Sequence, residues 1–284
     1  MHRNYINTWD LQLLLLLVKS SFLFFLFFST AVSEEIAVGE AYYGRDISEN
    51  ECYNLAKMEA EKKIMSDAGL EHVRFFNKDI CSETNEGSDC KLFQDSMVYY
   101  DGGFISEKSF YDRNISGQGD KRVCKIKIKA NVTYYESQPD PNFIFKAELE
   151  KNNLRANEEI KIIGETKSYA YIYLFSLVDN NDEFVKLFPN DHDKNNKVKG
   201  KFQIPTIQGQ NKYGLSAIFP VNVNKEIIPE YMAIIASKIE MKFFDKEKKS
   251  ALYRRLNNYQ RENWKMESLG YVIFKDEWEN KTIL

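Results

Sequence analysis

The stretch YAYIYLFSLVDNNDEFVKLFPN, residues 169–190, carries the clearest structural signal in the chain. Its first nine residues are apolar or aromatic almost throughout, as expected of a central β-strand that is covered on both faces. A polar DNND turn and a second apolar run follow, and Pro189 ends that run because proline cannot continue the hydrogen bonds of a sheet. The stretch therefore predicts two strands of a β-rich domain joined by a tight turn.

Similar short runs, rich in β-branched and aromatic residues, recur between residues 143 and 237 with turn signals between them. Such a series is typical of a β-sandwich. Beyond it, SALYRRLNNYQRENW, residues 250–264, shows helical spacing that places Leu252, Leu256 and Tyr259 on one face, and residues 271–275 predict a last strand. We expect residues 143–284 to form a mostly-β, sandwich-like domain with a C-terminal helix and strand.

Three tyrosines of the opening stretch, Tyr169, Tyr171 and Tyr173, alternate along the strand and therefore share one face, which Phe175 continues. Rows of this kind can stack on sugars, but on a central strand they more often belong to the core. We keep the three tyrosines as weak candidates for a saccharide or peptide ligand.

The loop after this strand, KLFPNDHDKNNK at residues 186–197, invites a metal-binding interpretation through Asp191, His192 and Asp193. Calcium prefers six to eight oxygen ligands at regular spacing, and Lys194 and Lys197 would repel a cation. A turn that Asn190 and Asp191 form after Pro189 explains the same residues without a bound metal ion. We therefore predict no metal site in this loop.

Catalytic chemistry has few candidate residues in the expected mature chain, which contains only two histidines, His72 and His192. The chain has no nucleophile elbow, no H-E-x-x-H zinc motif and no phosphate-binding Gly-rich loop. We expect no enzyme activity and no cofactor, although paired carboxylates cannot be recognised from sequence.

The N-terminal half predicts one long helix on an antiparallel sheet. EIAVGEAYYG, residues 35–44, alternates like a strand, and residues 46–69 repeat apolar positions every four residues. In the strand VCKIKIKANVTY, residues 123–134, apolar and polar positions again alternate. The predicted fold class is α+β, with a disulfide-braced domain at residues 34–136 and a polar, proline-containing linker at residues 137–142.

All four cysteines, Cys52, Cys81, Cys90 and Cys124, lie in this half. Cys52 belongs to the apolar stripe of the predicted helix and Cys124 to the apolar face of the predicted strand, so the two could meet in a helix-on-sheet core. Cys81 and Cys90 would then close a short loop. Three connectivities are formally possible, and we favour 52–124 with 81–90.

The first 33 residues are typical of a secretory leader. They contain basic residues, the apolar run FLFFLFF at residues 22–28 and the small residues that a signal peptidase recognises, which predicts cleavage between Ser33 and Glu34. The alternative is a retained anchor over residues 11–28, in which Lys19 would be costly. We expect export to the periplasm or cell surface and no membrane span in the mature chain.

Charge gives little support to a nucleic-acid partner, because the formal net charge is −3. Lysines do alternate along residues 125–129, next to Lys121 and Arg122. This stripe could bind an anionic partner, but the solvated face of a strand accounts for it as well.

The order of motifs in the C-terminal half resembles the bacterial domain-of-unknown-function family 4384. The matching features are a strand ending in an acidic turn, a strand closing with LFPN, an Asn-rich turn, a strand ending in IP, and the late strand YMAIIAS at residues 231–237. Asn181 and Asp182 replace the glycine that usually follows the acidic turn in that family. The resemblance implies a fold and supplies no catalytic residue.

The N-terminal half more loosely resembles the amino-terminal domain of flagellar assembly protein T and related envelope lipoproteins. GEAYYGRDISENECYNLAKMEAEKKIM, GGFISEKSFYD and VCKIKIKANVTY follow that family's order of strand, Ala-rich helix, glycine-led strand and closing strand. The added cysteines and the absent lipid anchor depart from the lipoproteins. Together the resemblances imply a non-catalytic, exported envelope protein with a protein partner, for which a flagellar or secretion apparatus is one expected setting. The alternative is a saccharide- or peptide-binding module.

Overall fold

The structure is a computed structural model. Between residues 73 and 100 it describes the backbone alone. The described residues are 32–44, 47–70, 73–74, 77–84, 87–94, 99–100, 102–178, 183–221 and 226–275.

The described residues of the N-terminal half form seven strands and one α-helix. They are β1 (Val32–Tyr42), α1 (Glu49–Asp67), β2 (Val73–Arg74), β3 (Asn77–Thr84), β4 (Gly87–Gln94), β5 (Tyr99–Tyr100), β6 (Gly103–Ser116) and β7 (Val123–Tyr134). Strands β1, β7 and β6 form an antiparallel sheet in that order, and α1 packs on one of its faces. The Ser48 side chain accepts a hydrogen bond from the backbone N–H of Glu51 at 3.2 Å and caps α1.

Small residues let α1 approach the sheet closely. A Cβ at Gly39 of β1 would lie only 1.8 Å from the carbonyl oxygen of Ala56, so no larger residue fits there. Cys52 and Cys124 form a buried disulfide across this contact, with their Cα atoms 6.0 Å apart. The predicted helix-on-sheet domain and the 52–124 pairing are therefore confirmed.

Cys81 and Cys90 lie directly opposite each other in the β3–β4 hairpin. Opposed residues of an antiparallel ladder have Cα atoms about 4.5 or 5.5 Å apart, and both spacings suit a disulfide. Their side chains lie outside the described residues, so the 81–90 bridge stays a prediction that the backbone register permits.

In the C-terminal half, ten strands and one α-helix lie within the residues that the structure describes. They are β8 (Phe145–Leu149), β9 (Asn153–Arg155), β10 (Glu159–Ile160), β11 (Ile162–Val178), β12 (Glu183–Phe188), β13 (Lys197–Ile204), β14 (Leu215–Ser216), β15 (Ile227–Ser237), β16 (Lys246–Lys248), α2 (Lys249–Asn257) and β17 (Trp264–Phe274). Eight of these strands form one sheet with β11 at its centre. The first residues of β11 pair with β8 and β13, and the last residues of β11 pair with β15 and β12.

Both faces of the central strands are buried, as the apolar run at residues 169–178 predicts. Ile172 and Leu174 enter one core cluster, while Tyr173 and Phe175 enter a second cluster on the opposite face. The helix α2 covers part of that second face through Leu252, Tyr253 and Leu256. The expected α+β fold with a sandwich-like, mostly-β half is confirmed.

The C-terminal elements differ from their predicted bounds. The helix ends at Asn257, so Tyr259 lies beyond it, and the last strand begins at Trp264 rather than at Tyr271. Strand β17 pairs with β15 along its whole length, from Trp264 opposite Ser237 to Phe274 opposite Ile227. This long-range pairing overrides the helical spacing that the sequence shows around residues 258–264.

Aromatic residues join the two halves. Tyr135 and Phe104, from the N-terminal half, enter the second core cluster of the C-terminal half. The Tyr135 ring meets Trp264 edge-on at a centroid distance of 5.4 Å, and Phe104 lies 5.9 Å from Tyr253. The two halves therefore share packed side chains.

Candidate interaction surfaces

The outer edge of β1 is the first candidate surface. Strand β1 pairs with β7 over eleven consecutive residues without a register shift, and its other edge pairs with no strand among the described residues. A regular sheet edge with unpaired backbone N–H and C=O groups is a template on which another strand can pair.

The ladder shows which backbone groups face this open edge. The N–H of Tyr43 bonds to the carbonyl oxygen of Arg122 at 2.9 Å, in line with the register of the strand pair. Because bonded and non-bonded positions alternate in an antiparallel ladder, the odd-numbered residues of β1 bond to β7. The even-numbered residues therefore direct their N–H and C=O groups outward: Val32, Glu34, Ile36, Val38, Glu40 and Tyr42.

One of these outward-facing backbone groups, the carbonyl of Val38, already accepts a hydrogen bond. The Lys63 ammonium of α1 donates to the Val38 carbonyl oxygen at 3.0 Å, through an exposed contact. An exposed lysine side chain is easily displaced, because it exchanges one hydrogen bond for another with water.

The even-numbered side chains of β1 lie on the sheet face opposite α1. Ile36 is 54% exposed and Val38 is 41% exposed. Ion pairs flank these two apolar residues, with Glu34 2.5 Å from Lys129 and Glu40 2.8 Å from Lys125. The hydrogen bond from Lys125 lowers the pKa of Glu40, so this carboxylate is charged at neutral pH.

The edge at β6 is built differently. Two register shifts interrupt its pairing with β7, one between Ile105 and Glu107 and one between Phe110 and Asp112. Bulges of this kind twist an edge and discourage further pairing. The sheet thus has one protected edge, at β6, and one regular edge, at β1.

These ion pairs neutralise much of the positive charge of the lysine stripe on β7. Lys125 and Lys129 are held by Glu40 and Glu34, and the backbone of Lys127 lies opposite Asp112 of β6. The geometry favours a neutralised strand face over the anionic-partner site that the sequence left open.

The three tyrosine candidates of β11 occupy different environments. Tyr169 is 62% exposed, Tyr171 is partly buried, and Tyr173 is fully buried with its hydroxyl accepting a hydrogen bond from the Met241 N–H at 2.7 Å. Burial raises the pKa of the Tyr173 hydroxyl. Tyr173 therefore belongs to the core, and a ligand could reach Tyr169 and the exposed part of Tyr171.

Two lysines of β13 lie beside these rings. The Lys197 ammonium is 5.6 Å from the centre of the Tyr169 ring and 5.3 Å from that of Tyr171, and Lys199 is 5.2 Å from that of Tyr169. Sequence reasoning missed this pairing because β11 and β13 are separated along the chain by β12 and the segments on either side of it. The alternation of lysines in KVKGK, residues 197–201, was the available signal.

The loop after β12 is a turn, as the sequence favoured. The Asn190 side-chain oxygen accepts from the backbone N–H groups of His192 and Asp193, both at 2.9 Å. The Asp193 carboxylate is buried and accepts from the Thr206 N–H at 2.9 Å and the Thr206 hydroxyl at 2.8 Å. It thereby ties this loop to the loop that follows β13.

Tyr213 completes the contact by donating to Asp193 at 3.3 Å. Burial, together with the nearby Asp193 charge, raises the pKa of the Tyr213 hydroxyl, so the phenol keeps the proton that it donates. His192 is exposed and stacks on Tyr213 at 6.4 Å. These hydrogen bonds show that Asp191, His192 and Asp193 belong to a structural turn.

Within the described residues, no group of three or more His, Cys, Asp or Glu side chains is arranged to hold a metal ion. None of the helices in that part of the chain is long and apolar enough to cross a membrane. His72 and the predicted leader up to residue 31 lie outside the described residues. Strand β1 starts at Val32, so the predicted cleavage after Ser33 would remove its first two residues and leave Glu34 opposite Asn131 as the first pair.

No protein-family model matches the chain, and neither a curated protein nor a solved structure matches it. The two family resemblances therefore stay predictions. Two surfaces remain as candidates for function: the open edge of β1, and the exposed ring of Tyr169 with the adjacent Lys197 and Lys199.

Proposed function

We propose that this chain is a non-catalytic, exported protein of the bacterial cell envelope that binds an extended segment of a partner protein along the β1 edge. The regular, unprotected edge of β1 carries the proposal. Strand addition uses the outward backbone groups for affinity and the side chains of alternate residues for specificity.

The contrast between the two sheet edges supports this choice. Proteins protect long edge strands with bulges, prolines or charges that point inward, because exposed edges promote aggregation. Strand β6 has two bulges, whereas β1 has eleven regular pairs, no proline and three exposed aliphatic side chains, Val32, Ile36 and Val38. An edge kept regular in this way is suited to a partner strand.

The side chains of β1 define the chemistry of that partner. Residues opposite Ile36 and Val38 would be apolar, because cross-strand aliphatic pairs stabilise a sheet. Residues opposite Glu34 and Glu40 would be basic, because each would share a carboxylate with Lys129 or Lys125. The expected partner segment therefore alternates as basic, apolar, apolar, basic at every second position.

Export is supported by independent features. The 52–124 disulfide is of the kind that persists in oxidising compartments, and the leader-like segment, residues 1–33, ends at the second residue of β1. The resemblance of the N-terminal half to flagellar assembly protein T suggests an assembly role in a flagellar or secretion apparatus.

A designed peptide tests the binding mode. Lys-Thr-Val-Thr-Val-Thr-Lys places lysines opposite Glu34 and Glu40 and valines opposite Ile36 and Val38, and its symmetry suits either strand direction. We expect it to bind the protein in fluorescence anisotropy. Four to six new backbone hydrogen bonds at about 1 kcal/mol each, together with the apolar contacts of the valines and less the cost of ordering the peptide, predict weak binding with Kd on the order of 1 mM.

The matched control peptide, Lys-Val-Thr-Thr-Thr-Val-Lys, has the same composition with its valines on the other face. The substitution Glu40→Lys on β1 should weaken binding of the first peptide several-fold, whereas Asp112→Lys on the protected β6 edge should leave it unchanged. Equal affinity for the two peptides, or equal loss in the two variants, would refute strand addition at β1.

A further inference from the structure

We propose that Tyr169, Lys197 and Lys199 form a second binding site, and that its ligand is an acidic polysaccharide. The site lies on the β11–β13 pair of the C-terminal half, so it is independent of the β1 edge. It combines an exposed aromatic ring with cations that have no carboxylate within 4.0 Å in the part of the chain that the structure describes.

A bulge projects Tyr169 from the sheet. The pairing of β11 with β13 shifts between Thr166 and Ala170, and the residues of the bulge, Lys167, Ser168 and Tyr169, are all exposed. Opposite the bulge, Gly200 has a φ of +81°, a conformation that glycine adopts without strain. Bulges of this kind re-aim side chains and are common beside functional sites.

The lysines beside this ring keep their charge available. Among the described residues, no carboxylate lies within 4.0 Å of the Lys197, Lys199 or Lys201 ammonium groups. Lys125 and Lys129 of β7, by contrast, are held by glutamates. The cationic surface that can receive an anionic ligand is therefore on β13.

The arrangement suits an acidic polysaccharide in particular. An exposed tyrosine ring such as that of Tyr169 can stack against the apolar C–H face of a sugar ring, while ammonium groups pair with its carboxylate or sulfate groups. Alternate residues of one strand lie about 6.8 Å apart, so the lysines form a row along which an extended chain can lie. Nucleic acid fits less well, because its binding depends mainly on the neutralisation of many phosphates, and the site has few cations on a chain whose formal net charge is −3.

Lysines on an edge strand also serve to prevent sheet pairing, which is the competing explanation. Among the described strands, β13 pairs with β11 alone, so it is such an edge. Edge protection, however, requires no exposed tyrosine. The contribution of the Tyr169 ring therefore separates the two explanations.

The experiment measures binding of the full mature chain to a polygalacturonate oligomer and to a neutral dextran oligomer of equal length, by calorimetry at about 50 mM salt. We expect binding to the polygalacturonate and none to the dextran. Tyr169→Ala should weaken binding at least about fivefold through lost stacking. Lys199→Met should weaken it by a similar factor, while the paired Lys125→Met serves as the control and should have little effect.

Several outcomes would overturn the proposal. They are no polygalacturonate binding, equal binding by wild type and Tyr169→Ala, or an equal loss in Lys125→Met and Lys199→Met. Stronger binding to single-stranded DNA or to anionic lipid vesicles than to polygalacturonate would also overturn it. Thermal unfolding of each variant verifies the fold, which we expect to be unchanged because Tyr169 is 62% exposed.

Discussion

Two aspartates two residues apart, Asp191 and Asp193, have opposite surroundings in the loop after β12. The Asp191 side chain is almost fully exposed, and its nearest cation, Lys194, is 3.9 Å away. Asp193 is buried and accepts three hydrogen bonds from Thr206 and Tyr213. The sequence shows that both carboxylates sit in a turn, but it cannot show which is buried, because that depends on a loop more than ten residues further on.

Asp193→Asn should destabilise the protein by roughly 1–3 kcal/mol, since the amide replaces one acceptor oxygen with a donor that faces other donors. Asp191→Asn is the matched control and should change the free energy of unfolding by less than about 0.5 kcal/mol. Urea unfolding measures both. Equal effects of the two substitutions would contradict the structural role of Asp193.

At the scale of elements, the helix and strand periodicities of the N-terminal half were sufficient to predict its core. Cys52 and Cys124 were each assigned to an inward face, and the structure joins them. Strand β17 could not be delimited in the same way. Its first residues, Trp264 to Met266, have no local β signal that outweighs the helical one, and their conformation depends on pairing with β15.

The 52–124 disulfide closes a segment of 72 residues, and chain-entropy arguments give roughly 4 kcal/mol for a loop of that length. We expect the double variant Cys52→Ala/Cys124→Ala to lose stability of that order in urea unfolding. Cys81→Ala/Cys90→Ala should lose less, because its loop is shorter. A larger loss in this second variant would contradict the idea that the long bridge braces the domain.

At the scale of the whole molecule, the sequence predicted two halves separated by residues 137–142 but not their contact. Tyr135 and Phe104 were read as part of the N-terminal half, whereas they pack with Tyr253 and Trp264 of the other half. Such a contact has no periodic signature, because it joins single aromatic residues from distant elements. Lys238 adds an ion pair with Asp140 at 2.6 Å, which lowers the pKa of Asp140.

The two proposed surfaces were also only partly predictable. The sequence indicated the aromatic row and favoured the core for it, which agrees with the burial of Tyr173, but it did not indicate that Tyr169 projects from a bulge. It indicated the β1 strand, but not that β1 lies at an edge, because strand order depends on contacts distant in sequence.

Backbone amide hydrogen exchange along β1, followed by NMR, tests strand addition most directly. In the isolated protein the amides of Glu35, Ala37 and Gly39 should be protected by β7, while those of Ile36 and Val38 should exchange rapidly. The peptide Lys-Thr-Val-Thr-Val-Thr-Lys, at saturating concentration, should slow exchange at Ile36 and Val38. The account is contradicted if these two amides are already protected without peptide, or if bound peptide leaves their exchange unchanged.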